Sequence, residues 1–273
     1  MANRFAYRGP SSRELVLLQL LVAANLSDAA MLNVVNPGFE DISGETVVNE
    51  FTFGPLNGWD LYDPNQPQIT DGGDGPNFYI GTLTPQPDPG NPGDFINFPA
   101  GAPEGNRVAI AFNFAATGGT GEYGLMQEIT TAQLQPFTEY TLQVDVGDIA
   151  SGMAVSGTFF TLDGFPGYRI DLMAGDEILV QDLNSLQPSL SDGEFLTSTI
   201  SYTSGASHIA MNQNLVIRLV NLNEIDSDFP ASDLEVDFDN VRLFAVPVPL
   251  PSVFPAMVVA VFAGWRAGRR QLV

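Results

Sequence analysis

The fold class that the sequence predicts is an all-β sandwich with a short apolar segment at each end, and three observations predict it. Glycine (27) and proline (20) together make 47 of 273 residues, about 17% against a usual ~12%, which marks a turn-rich chain. Apolar and polar residues alternate with a period of two in many short runs. No long helical pattern lies outside the two ends.

The clearest strands are Tyr140, Leu142, Val144 and Val146, alternating with Thr141, Gln143 and Asp145, and Leu234, Val236 and Phe238, alternating with Glu235, Asp237 and Asp239. Each reads as a half-buried strand. Further candidates are 107–114, 125–129, 157–161, 168–173, 178–181, 196–202 and 215–220, separated by Gly, Asp, Asn and Pro clusters. Strands at this spacing predict one sandwich over residues 30–245. Residues 64–105 hold nine prolines and eight glycines. They read as a long insertion loop, because strand signals needed for one sandwich lie on both sides.

The charge is lopsided. All ten basic residues are arginine, against 32 acids, for a net charge of −22. Residues 31–245 hold four arginines and 30 acids, a net charge of −26. Such a surface repels nucleic acid and anionic lipid, and suits water, salt or divalent cations. The absence of cysteine removes disulfides, thiolate metal sites and cysteine nucleophiles together.

The ends carry address signals. Leu15 to Ala24 reads LVLLQLLVAA after Arg4, Arg8 and Arg13. Ten residues are too few to span ~30 Å of hydrocarbon but match the apolar region of a secretory signal. Ser27-Asp28-Ala29 offers a cleavage site and Val22-Ala23-Ala24 competes with it; a buried N-terminal helix is the alternative. Residues 1–29 therefore read as a signal peptide. At the other end, 246–273 form a tripartite tail: alternating prolines from Val246 to Pro251, an uncharged run from Ser252 to Trp265, then Arg266, Arg269 and Arg270. Arginines after an apolar run stay cytoplasmic, which leaves the acidic body outside. A closing core helix is the alternative.

The tail resembles the PEP-CTERM class of bacterial sorting signals, and more closely its VPLPA-type variant, through Val248, Pro249, Leu250 and Pro251, the apolar helix and the arginine cluster. The resemblance implies an exosortase-type membrane protease as partner, transient membrane anchoring through the C-terminal helix, and a place in the cell envelope, surface or matrix of a Gram-negative bacterium that makes exopolysaccharide. Val or Leu stands where the usual core has Glu, which suggests a variant processing enzyme.

The body resembles galactose-binding-like jelly rolls, including carbohydrate-binding modules. Asn36-Pro-Gly-Phe-Glu40 and Gly58-Trp59 resemble their opening strands, and Leu234 to Phe244 their closing one. The fold expected is thus a single jelly-roll sandwich. In such modules a structural calcium commonly joins the first and last strands, which implies Glu40 and Asp239 as ligands. Separately, the apolar phase shifts after Phe238 to Val241 and Leu243, so the strand must bulge near Asp239-Asn240 and turn oxygens toward one point. Asp71-Gly-Gly-Asp74 looks like a calcium-loop fragment without EF-hand spacing.

Sugar binding needs flat aromatic faces beside hydrogen-bonding groups. Trp59, Tyr62 and Tyr79 are the candidates; alternation puts Trp59 with Leu61 on one face, toward the core, and Tyr62 on the other. Catalysis has little in its favour: His208, the only histidine, sits in a Ser- and Gly-rich turn, and no carboxylate pair, P-loop or GxGxxG stands out. The sequence alone therefore predicts an exported, non-catalytic surface protein that binds extracellular polysaccharide. A structural matrix protein, an adhesin and a glycoside hydrolase are the alternatives.

Overall fold

The chain folds as two facing β-sheets, seen in a computed structural model that describes residues 29–54, 56–64, 78–85, 97–113 and 121–249. The front of the chain supplies β1 (Ala30–Leu32), β2 (Thr46–Val48), β3 (Phe51–Phe53), β4 (Asp60–Tyr62), β5 (Phe78–Leu83), β6 (Val108–Asn113) and β7 (Tyr123–Gln133). The remainder supplies β8 (Thr138–Asp148), β9 (Gly152–Met153), β10 (Phe159–Phe160), β11 (Tyr168–Ala174), β12 (Glu177–Leu183), β13 (Glu194–Thr203), β14 (Asn214–Asn221) and β15 (Leu234–Pro247). No helix occurs among the described residues. The two helices expected at the ends, at 1–29 and beyond Pro251, lie outside them, as do Leu250, Arg266, Arg269 and Arg270.

One sheet runs β13-β8-β15-β6-β5-β3-β2, with β1 pairing on the far part of β15. The other runs β12-β11-β14-β7-β4. The side-chain period of two puts Ile80, Ala109, Ala111, Leu142, Val144, Val236 and Phe238 of the first sheet against Leu125, Ile170, Leu172, Ile217 and Leu219 of the second. These buried side chains form the main core, at about 1.5–3 kcal/mol of burial for each large one. A polar link also crosses it: the hydroxyls of Tyr168 and Ser198 both donate to Oδ2 of Asp182, each at 2.5 Å, tying β11 and β12 to β13 of the opposite sheet.

The architecture is the all-β sandwich expected. One segment differs. The insertion read as loop over 64–105 contains β5, which pairs with β3 and β6 well inside the larger sheet. Phe78 to Leu83 is a good apolar strand whose signal is diluted by the prolines and glycines around it. Its Gly81 is required, because a Cβ there would stand 1.9 Å from the carbonyl oxygen of Thr52.

The bulge expected in the closing strand is present. The β6 ladder stops at Phe238, and Asn240 adopts φ 52°, in the left-handed region. The extra residue resets the phase, so Val241 and Leu243 return to the core.

Candidate active site

The outer face of the larger sheet is not open to water along β6. Val108, Ile110 and Phe112 point away from the main core and, with Leu83, Phe98, Ile149 and Leu162, form a second apolar cluster. The β9–β10 hairpin roofs it. Two hydrogen bonds fix the base of that roof: Leu162 donates its N–H to the Ser151 hydroxyl oxygen at 2.7 Å, and Asp233 donates its N–H to the Thr161 carbonyl at 2.7 Å.

The alternation that sends Val236 and Phe238 into the main core sends Glu235 and Asp237 into this second cluster. Glu235 lies opposite Phe112 and Asp237 opposite Ile110 in the β15–β6 ladder. Glu235 is 3% exposed and Asp237 wholly buried. Oε1 of Glu235 and both oxygens of Asp237 find no donor elsewhere among the described residues, and the two carboxyls hydrogen-bond each other. Burial pushes both carboxyls well above the usual carboxylate range, and the charged groups acting on them are acids: Asp233 on Glu235, and Glu235 followed by Asp148 on Asp237. Asp148 is itself pushed up to about 7 by burial and by the charge of Asp192. The pair is thereby biased toward its neutral, proton-bearing form in an apolar site.

Glu235 opens onto a cavity walled by Phe51, Phe112, Phe160, Leu162 and Asn97. The Phe160 ring centroid is 6.1 Å from those of both Phe51 and Phe112, at interplanar angles of 59° and 83°. The cavity measures about 10 Å³, room for about one water molecule. A carboxylic acid facing aromatic π-faces can donate a proton and have the resulting cation stabilised by the rings.

The residues singled out in the sequence lie elsewhere. Trp59 is core: it is 3% exposed, packs on Phe39 with centroids 5.3 Å apart, and donates its indole N–H to the Asn36 carbonyl at 3.2 Å. Tyr62 sits on the outer face of the smaller sheet beneath Arg218, whose guanidinium lies 4.6 Å from the ring centroid. Its hydroxyl donates to Glu122 at 2.9 Å, and Arg169 bridges Glu122 and the fully buried Asp171. Tyr62 is thus locked in an ion-pair network. Tyr79 lies in β5 in register with Phe112, and its side chain lies outside the described residues, as do Asp71 and Asp74. Val248 and Pro249 follow the end of β15, half-buried and exposed; Pro251 lies outside. His208 occupies its turn, with Nδ1 accepting the N–H of Ala210 at 3.1 Å.

Glu40 and Asp239 reach the same corner. Oε1 of Glu40 accepts the N–H groups of Asn106 and Arg107, while Asp239 accepts those of Glu104 and Asn240. Burial, with the charges of Glu104 and Asp145 adding, pushes Asp239 up to about 8. A carboxylate oxygen of Glu104 lies 1.6 Å from the point a Cβ of Gly38 would occupy, and Asp239 Oδ1 lies 3.6 Å from that point. All donors here are oxygen, the chemistry of a hard cation. As they stand, no three acidic or histidine side chains among the described residues close into an ion-holding group.

A carboxylic acid kept from water beside aromatic rings is a group able to give up a proton inside the fold. The chain belongs to the HpiC1-like cyclase family, whose model matches residues 30–244. A crystal structure of a cyclase from Fischerella sp. TAU is 32% identical, with a TM-score of 0.64, covering 82% of this chain and 100% of that one. The Stig cyclase Fisc from Fischerella sp. TAU, in complex with (3Z)-3-(1-methyl-2-pyrrolidinylidene)-3H-indole, is 32% identical with a TM-score of 0.65 over 81% of this chain and 100% of that one. A cyclase from the same source, in complex with 4-(1H-indol-3-yl)butan-2-one, matches at 32% identity, a TM-score of 0.64 and the same coverage. No curated protein matches the chain.

Family membership overturns several expectations. The body is that of a cyclase family, so the non-catalytic surface protein and the PEP-CTERM identification both give way. The relatives' ligands are small indole compounds, which displace an exosortase and extracellular polysaccharide as partners. The sorting reading rested on residues 246–273 alone, whereas the non-catalytic one failed through the strand period: Glu235 and Asp237 read as the polar face of a half-buried strand, and the hairpin and the 97–102 segment cover that face.

Proposed function

We propose that the chain is an acid-initiated cyclase acting on an indole-type substrate. One observation carries the reading: Glu235, buried beside Asp237, forms the acidic wall of a cavity whose other described lining is phenylalanine, aliphatic side chains and Asn97. Asp237 stands behind it, and its own burial and nearness discourage ionisation of the pair. The Glu235 O–H breaks as a C–H bond forms on an unsaturated carbon of the substrate. The cation lies against Phe51, Phe112 and Phe160. A second unsaturated carbon of the same molecule attacks it to close a ring, and the cation formed returns a proton to the Glu235 carboxylate. Proton uptake and loss balance, so the reaction is an isomerisation that needs no oxidant.

The test is conversion of an indole bearing an unsaturated side chain at C3, followed by chromatography and mass. The wild type gives a cyclised product of unchanged mass, and Glu235→Gln lowers the rate by ~10²–10⁴. Equal rates in the two proteins overturn the reading.

We further propose that calcium occupies the Glu40, Glu104 and Asp239 corner as a structural ion. The crowded, all-oxygen donors support this; none of the chemistry above runs through the ion. Export is also part of the proposal, supported by the arginine-preceded apolar run Leu15–Ala24, with the mature protein starting near Ala30.

A further inference from the structure

Among the described residues, the cavity wall contains two side chains able to form hydrogen bonds, Glu235 and Asn97. The proposed chemistry uses Glu235 and leaves Asn97 without a task. Asn97 is 2% exposed, and its Oδ1 is buried without a partner. A bare amide oxygen in an apolar site costs folding free energy, and Leu, of the same branched shape, would avoid that cost.

Its backbone is held on both sides. Asn97 donates its N–H to the Pro85 carbonyl at 3.2 Å. The next residue, Phe98, is fully buried and packs on Phe195 with ring centroids 4.2 Å apart. Phe195 in turn lies over Gly147, where a Cβ would stand 2.5 Å from the ring. The amide is thus delivered to the cavity by a fixed segment.

We propose that Asn97 is a specificity-determining residue whose Oδ1 accepts the ring N–H of the indole-type substrate, so that the substrate's reactive side chain faces Glu235. The inference rests on the indole reading above and sharpens it. A site with an unpaired acceptor discriminates strongly, because an analogue without the N–H leaves that acceptor buried and bare. Phenylalanine and aliphatic walls supply area; the amide supplies orientation.

The probes are 4-(1H-indol-3-yl)butan-2-one and its benzofuran counterpart, which has the same shape and no N–H. Dissociation constants are measured by calorimetry on the wild-type protein, Asn97→Leu and Asn97→Ala. The wild type is expected to bind the indole at least about tenfold tighter than the benzofuran. Asn97→Leu, which keeps the branching and heavy-atom count and removes the bare oxygen, is expected to bind the two within about twofold while remaining folded. Asn97→Ala is expected to lose the preference in the same way. Equal binding of both probes by the wild type, or a preference surviving in either variant, overturns the role of Asn97 and leaves the indole pocket intact. Binding of neither probe by the wild type overturns the pocket and the inference together.

Discussion

The backbone N–H of Val155 donates to Oε1 of Glu50 at 2.8 Å. This bond ties the turn between the two hairpin strands to the turn between β2 and β3, next to Ala154 and Phe51 of the cavity wall. Glu50 is 3% exposed and its other oxygen, Oε2, has no partner. The hairpin pairs through just two residue pairs, Phe159 with Met153 and Phe160 with Gly152, so it depends on outside anchors. Glu50→Ala is expected to speed amide hydrogen exchange at residues 153–160 while leaving β8 and β15 protected. Unchanged exchange in the hairpin would show that its apolar side chains alone hold it.

Stability should fall as pH rises. Asp148, pushed up to about 7, keeps a proton in the folded state that an unfolded Asp releases near pH 4. The folded state therefore binds more protons between those values, and its contribution is fully present below about pH 4 and lost as pH climbs to about 7. The slope is up to about 1.4 kcal/mol per pH unit for one such group, and the raised Glu235–Asp237 pair adds in the same direction. Thermal melts from pH 5 to pH 8 should show a declining melting temperature, with a shallower decline in Asp148→Asn. A melting temperature that rises over this range would refute the assignment.

Turnover should share that sign. The proton donor must be protonated, so the rate falls on the alkaline side of the raised titration of the pair. A rate that climbs above pH 8 would point to a carboxylate base instead.

Calcium should raise the melting temperature more than magnesium at equal ionic strength. A ligand at a hundredfold excess over its Kd stabilises by about 2.7 kcal/mol, a shift of several degrees for a body of this size. Glu40→Gln with Asp239→Asn should abolish the difference. If magnesium matches calcium, the corner is a clamp for the 102–107 loop and holds no ion.

Arg169 should matter for stability rather than for binding. Its Nε donates to the fully buried Asp171 at 3.0 Å, and Gln181 donates to the same carboxylate at 2.8 Å. Arg169→Met leaves Asp171 with Arg218 at 4.0 Å as its nearest cation. Removing one partner of a buried pair costs about 3–5 kcal/mol, so a loss of roughly 10 °C is expected. A loss under two degrees would mean that Arg218 takes over.

The sandwich was legible because its long strands bury one face and alternate cleanly, as at Tyr140–Val146. The bulge at Asn240 was legible for the same reason: an apolar phase that breaks must be absorbed somewhere. The acidic cavity was misread because alternation in β15 looks identical whether the polar face meets water or a hairpin. A usable signal lay in β6, where Val108-Ala-Ile-Ala-Phe112 is apolar on both faces. A strand buried on both sides means that its neighbour is covered too, which would have placed Glu235 and Asp237 indoors. The place of Asn97 in the cavity wall had no such signal, since it depends on how a proline- and glycine-rich part of the chain meets the sheet. Trp59 shows the converse: alternation assigned it to the core correctly, because that face had nothing else to meet.

The small volume beneath the Phe160 roof bears on which product forms. The cavity has room for about one water molecule, so on the proposed reading a substrate can enter only if the hairpin lifts, and little space would then remain for solvent beside it. A cation generated there meets carbon nucleophiles of its own molecule before it meets a water oxygen, so ring closure outruns solvolysis. Loosening the Val155–Glu50 tether should therefore alter what is made as well as how fast, with alcohols, 18 mass units heavier than the cyclised isomer, accumulating in Glu50→Ala.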